Sequence, residues 1–151
     1  MRIEADDLTR PEVHALLAEH LDQMHAQTPA GSVHALDLSG LRAPGVVLWC
    51  AWDGPRLLGC GAIRELSPVH GELKSMRTAA AHRRKGVARA VLQHLLAVAH
   101  ERGYERVSLE TGVSAPFLPA IRLYESEGFE PCGPFADYRE DPHSRFMTRR
   151  P

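Results

Sequence analysis

The segment Arg83-Arg84-Lys85-Gly86-Val87-Ala88 constrains this chain most, because it joins a β-type run to a long amphipathic helix. Upstream, Gly71–Thr78 reads as a strand with Leu73 and Met76 as its apolar residues. Downstream, Val87, Val91 and Leu95 recur at helical spacing, joined by Ala88, Leu92, Leu96 and Ala99. A helix is therefore expected over Gly86–Arg102, with Gly103 as its left-handed end. A helix start leaves N–H groups unpaired and carries partial positive charge. Small residues at 86 and 88 let an anion approach that backbone, and His82-Arg83-Arg84-Lys85 adds charge. A pyrophosphate suits such a site. Neither G-x-x-x-x-G-K-[ST] nor G-x-G-x-x-G occurs, which argues against a P-loop nucleotide hydrolase and a dinucleotide-binding dehydrogenase.

The other elements follow in order. Arg2–Ala5 reads as a short strand and Arg10–His25 as a helix. Thr9 and Glu12 are spaced for a capping box, Pro11 suits the first turn, and Val13, Leu16, Leu17, Leu21 and Met24 form the apolar stripe. Gln27–Gly45 is irregular, with a short helix beginning near His34–Asp37; it is either a functional connection or a plain surface loop. Val46–Trp52 and Leu57–Leu66 form a hairpin about Asp53-Gly54-Pro55. Arg106–Thr111 is a strand, Pro116–Glu127 a helix closed by Gly128, and Phe129 opens a last hairpin across the polar loop Gly133–His143. With no repeat and no low-complexity linker, residues 1–151 are expected to form a single domain.

Composition narrows the class. A chain of 151 residues, 44% apolar, suits one α/β domain that buries roughly 68–70% of its extended surface. No apolar run reaches the ~18–20 residues that span a bilayer. The acidic start Met1–Asp7 is unlike a signal peptide, so a cytoplasmic protein with no membrane partner is expected. Lys and Arg number 18 against 19 Asp and Glu, which offers no basic excess for a nucleic-acid partner. Cys50, Cys60 and Cys132 include no C-x-x-C pair; free thiols are expected, with an oxidised Cys50–Cys60 pair left open. The nine histidines show no metal-ligand spacing, so no metal is expected.

Arg83-x-x-Gly86-x-Ala88 resembles the Q/R-x-x-G-x-G/A motif of the GNAT acetyltransferases. Glu72–Thr78 resembles that family's central strand, and Ala120-Ile121-Arg122-Leu123-Tyr124-Glu125-Ser126-Glu127-Gly128-Phe129 resembles its A-I-x-L-Y-x-x-x-G-F signature. Order and spacing match from about Leu57 to Phe129, and His34–Leu41 is similar to a stretch in small bacterial members of unsettled substrate. The resemblance implies an α/β fold with a mixed, mostly antiparallel sheet of six to seven strands, splayed between strands four and five, and about four flanking helices. It implies acetyl-CoA as cosubstrate and a small-molecule amine as acceptor, with oligomeric state open, a homodimer included.

The resemblance also assigns residues. Met76, Arg77 and Thr78 would meet pantetheine through main-chain groups, and Arg83, Arg84, Lys85, Gly86, Val87 and Ala88 would hold the pyrophosphate. Tyr124 matches the tyrosine that protonates the leaving thiolate, and Glu72 matches a general-base position; each is alternatively a structural residue. Where relatives often carry a pantetheine-binding asparagine, this chain has Phe117, so Ser114 or main chain must replace that contact. Cys132 has no evident histidine partner, so direct attack is expected over an acyl-cysteine route. A non-catalytic acyl-CoA sensor needs only Arg83–Ala88; the presence of Glu72 and Tyr124 favours an enzyme. Gln27–Gly45 and Gly133–His143 are the expected acceptor walls. Asp37, Asp137 and Glu140 are candidate ammonium partners, Arg42, Arg139 and Arg145 candidate carboxylate partners, and Trp49, Trp52, Phe135 and Tyr138 either stacking surface or core.

Overall fold

In the computed structural model, which describes residues 1–151, one seven-stranded sheet runs in the order β1-β2-β3-β4-β5-β7-β6. The strands are β1 (Arg2–Ala5), β2 (Val46–Asp53), β3 (Arg56–Ser67), β4 (His70–Thr78), β5 (Arg106–Gly112), β6 (Glu130–Cys132) and β7 (Ser144–Arg149). Four helices accompany them: α1 (Pro11–Gln27), α2 (Leu38–Leu41), α3 (Val87–Glu101) and α4 (Leu118–Ser126). Only β4 and β5 are parallel, because α3 carries the chain back between them. The expected mixed, mostly antiparallel α/β architecture is what forms. No helix is long and apolar enough to cross a membrane.

Strand alternation gives the sheet two apolar faces. Leu73, Ile63, Val107, Leu109 and Met147 pack with the α3 stripe of Val87, Val91, Leu92, Leu95, Leu96 and Ala99. On the other face, Leu48, Cys50, Trp52, Cys60 and Ala62 pack with Val13, Leu16 and Leu17 of α1 and with Leu41 of α2. Both tryptophans therefore belong to the core and not to an acceptor wall. The Arg10 guanidinium covers Trp52 at 4.6 Å, and Trp49 packs with the sheet against His94 of α3. Cys50 and Cys60 face each other across β2 and β3 as buried free thiols. Burial pushes the Cys60 thiol up to about 12, which keeps it protonated and unreactive.

The opening that matters for function comes from strand pairing. β4 and β5 pair from His70↔Arg106 to Leu73↔Leu109 and no further, although β4 continues to Thr78 and β5 to Gly112. Cys60 faces Arg77 and Ala62 faces Lys74, so Gly61 alone stands opposite both Ser75 and Met76. This bulge, with Ser75 at φ 55°, bends β4 where the sheet opens. Position 61 is tightly packed: a Cβ there would lie 2.6 Å from Met76 Sδ and 2.9 Å from both Leu95 Cδ1 and Val91 Cγ1, so these side chains would have to shift. Gly61→Ala should destabilise the fold by about 1–3 kcal/mol through overpacking. The check is a urea midpoint that falls at constant m-value; an unchanged midpoint would mean these side chains give way freely.

Two local expectations fail for physical reasons. Thr9 does not cap α1; its hydroxyl donates to Asp7 Oδ1 at 2.6 Å, and Arg10 occupies the cap position without a side-chain bond. Asp6 and Asp7 accept from the Leu8 and Thr9 amides, and this local turn outcompetes the capping box. The helix expected over Pro116–Glu127 divides into a 3-10 turn at Ala115–Phe117 and α4 from Leu118. Pro116 and Pro119 lack N–H groups, so each sits at the start of its own segment.

Candidate active site

The gap between β4 and β5 continues into a cleft of about 560 Å³. At one end lies the start of α3. After β4 the chain makes a 3-10 turn at Ala80–His82, then holds Arg84 at φ 62° and Gly86 at φ 79°. Gly86 occupies the cap of α3 with no side-chain bond, so the first-turn N–H groups stay open. Arg83, Arg84 and Ala88 line the cleft. Lys85 and Gly86 are exposed beside it, whereas Val87, the first residue of α3, is buried in the core. Nothing lies within 4 Å of a Cβ built on Gly86, so the helix start is unobstructed from outside.

The middle of the cleft is floored by β4. Met76 and Thr78 lie beyond the last β4–β5 pair, which leaves that strand edge without a partner in β5. The Arg77 side chain turns to α1, donating to Gln23 Oε1 at 2.7 Å and Glu19 Oε1 at 2.5 Å. It fastens α1 across β4. The Ser114 hydroxyl reaches the Gln27 carbonyl at 3.5 Å and stays out of the cleft lining. Phe117 does line it, its ring lying over Gly112 so closely that any Cβ there would collide. The wall at this position is thus apolar.

Tyr124 closes the same wall from α4. Its ring packs edge-on to Phe129 at 5.7 Å, and its hydroxyl borders the cleft with no protein hydrogen-bond partner. Burial pushes the phenol well above its ordinary value, so it stays protonated.

Beyond the cleft, in an adjoining cavity, Glu72 is 1% exposed, which removes the reading of a solvated strand carboxylate. Its Oε2 accepts from Lys74 Nζ at 3.3 Å and from the Tyr138 hydroxyl at 2.5 Å; Lys74 Nζ also donates to the Tyr138 oxygen at 2.9 Å. Burial and the adjacent Glu72 carboxylate hold the Tyr138 phenol protonated. Lys74 and His34 border both the cleft and a second cavity of about 400 Å³ that contains Glu72 and Tyr138. Across the opening on β5, Glu110 lines the cleft and accepts from Ser144 Oγ at 2.7 Å. Burial pushes its carboxyl up, against the Ser144 hydrogen bond.

The two long loops meet over this second cavity. Ser32 Oγ donates to Asp141 Oδ2 at 2.5 Å, and the His34 ring stands edge-on to Tyr138 at 5.0 Å. Asp137, Arg139 and Glu140 line the cavity as expected for wall residues. Asp37 instead accepts from the Gly40 amide at 2.7 Å to cap α2, and Arg42 donates to the Leu8 carbonyl at 3.2 Å. Arg145 lies on β7 opposite Thr111 and borders neither cavity. Lys74 and Glu110 escaped the sequence reading. Both share one sheet face with Glu72, through the two-residue alternation of β4 and the Glu72↔Ser108 register, and that register is invisible before the strands pair. No group of three or more His, Cys, Asp or Glu side chains is placed to hold a metal ion.

This geometry has known counterparts. The model of the acetyltransferase (GNAT) family matches residues 10–129. The chain is 57% identical to the uncharacterized N-acetyltransferase YsnE of Bacillus subtilis, over 99% of both chains. Among solved structures, it superposes at TM-score 0.81 with a protein of Klebsiella pneumoniae described as a "putative acyl-CoA N-acyltransferase", at 31% identity over 99% of this chain and 96% of the other. An Elizabethkingia anophelis acetyltransferase with acetyl-CoA bound shares the fold at TM-score 0.67 and 17% identity, over 99% and 97% of the two chains. With a family match across most of its length, the chain belongs to the GNAT acetyltransferase family.

Proposed function

We propose that this protein, in the cytoplasm, transfers the acetyl group of acetyl-CoA to the primary amine of a small molecule, by direct attack in a ternary complex. The observation that carries the reading is a cleft with an open helix start at one end and a free, protonated tyrosine hydroxyl on its wall, adjoined through Lys74 and His34 by a second cavity that holds the buried Glu72 carboxylate. The residues present fit acetyl-CoA. Uncapped N–H groups of α3 with Arg83 and Arg84 suit a pyrophosphate, and the β4 edge at Met76–Thr78 suits an amide-bearing arm. When bound, acetyl-CoA supplies an activated thioester.

The chain's residues supply the proton handling. Glu72 takes the amine proton through Oε1, the carboxylate oxygen that no protein group occupies. The amine nitrogen bonds to the acetyl carbon, the carbon–sulfur bond breaks, and Tyr124 gives its proton to the departing sulfur. Direct attack is supported by the thiols. Burial raises all three, and Cys132 has no activating hydrogen bond.

An amine panel incubated with acetyl-CoA and read by released thiol tests the reading; thiol release that tracks one class of small amine supports it, and none with any amine contradicts it. The cofactor assignment has its own test. Replacing Arg84 and Lys85 together with Ala should weaken acetyl-CoA roughly tenfold and flatten the salt dependence of binding. Gly86→Val should also weaken it, because a β-branched residue resists φ 79° and would crowd the open helix start. Unchanged affinity in both variants would remove the phosphate site from α3.

A further inference from the structure

The geometry points to an acceptor that carries a carboxylate beside its amine, an amino acid or close analogue, with Lys74 as the residue that selects it. This rests on the proposed acetyl transfer and adds the substrate class. Three observations converge on Lys74. Its side chain is only 7% exposed, yet its ammonium has three protons and two protein acceptors, Glu72 Oε2 and the Tyr138 oxygen. The third proton has no protein partner. A buried charged donor left incomplete is costly, so this one favours a ligand that completes it.

Position is the second observation. Lys74 borders both the acetyl-CoA cleft and the Glu72 cavity, so an amine that reaches Glu72 brings its neighbouring atoms beside Lys74. Lys74 Nζ lies 3.3 Å from the Glu72 carboxylate, and a carboxylate one carbon from the amine suits two groups so close together.

Charge is the third. Arg64, directly across from Glu72 in the β3–β4 register, and Arg139 both line the cavity and neither forms an ion pair within the chain. Asp137 and Glu140 are exposed on the same rim as the two arginines, so the cavity presents both signs of charge around the buried Glu72–Lys74 pair. Polyamines and aminoglycosides would bring several cations against Lys74 and Arg64. A compact zwitterion satisfies both Glu72 and Lys74, and a 400 Å³ cavity walled by Tyr138 and His34 suits its size.

The test separates binding from turnover. Full-length protein saturated with CoA is titrated calorimetrically with L-phenylalanine, L-methionine and L-glutamate, each against its α-carboxamide, and with spermidine and kanamycin. At least one acid should bind roughly tenfold tighter than its amide. Lys74→Met should erase that ratio while CoA affinity is kept, and exposed Arg64→Gln, which carries little folding risk, should reduce it. Equal binding of acids and amides, preference for spermidine or kanamycin, binding by none of the acids, or a ratio that survives in folded Lys74→Met would each overturn the inference. Selective acid binding without acetyl transfer would instead sink the proposed activity and leave the inference standing. Acetylation of acids and amides at equal efficiency would do the reverse.

Discussion

Tyr124→Phe should slow acetyl transfer by about 100-fold or more, the lower range for loss of a positioned general acid, while acetyl-CoA affinity changes little. The ring stays in place against Phe129, and the lost hydroxyl has no protein partner to strand. Stability should therefore hold while turnover collapses. Burial keeps this phenol protonated, so its proton is in place when negative charge develops on sulfur. Measured kcat, acetyl-CoA Kd and melting temperature separate the roles. A variant that turns over at the wild-type rate would make Tyr124 a core residue only, and a variant that fails to fold would assign it to packing.

Glu72→Gln should lower kcat/KM by about 100-fold or more, with a deficit that widens from about pH 9 to about pH 6 as more amine arrives protonated. Glutamine can still accept from Lys74 and Tyr138, but it cannot take a proton. The change also removes the counter-charge of the buried Lys74 ammonium, and breaking a buried pair costs up to about 3–5 kcal/mol. Rates are therefore compared on folded protein whose acetyl-CoA affinity is intact. Parallel pH–rate profiles for wild type and Glu72→Gln would reject Glu72 as the base. If Glu110→Gln then changed the profile, the role would pass to Glu110, whose carboxyl burial already pushes up.

What the sequence disclosed depended on how local the cause was. α3 was legible because its stripe and Gly103 act within the helix itself. The opening of the sheet could be inferred only by resemblance, since it arises where Gly61 of β3 meets Ser75 and Met76 of β4. Thr9 misled because Asp7 competes for its hydroxyl two residues away. Arg77 lines the cleft, but the partners that fasten its side chain, Glu19 and Gln23, lie more than fifty residues earlier and leave no local signal. Glu72 was the hardest. Alternation puts it on one face of β4, but what buries it is Tyr138, 66 residues further along. Lys74 gave no signal at all before that loop folded over it.

The central claim is transfer of acetyl from CoA sulfur to an amine nitrogen with both substrates bound together. The most direct measurement supplies acetyl-CoA labelled with carbon-13 in the acetyl group, follows label on the amine and thiol release together, and varies both substrates. Label on nitrogen in step with released thiol, and double-reciprocal lines that intersect, are the predicted result. Parallel lines with label trapped on the protein, or thiol release without labelled amine, would contradict it.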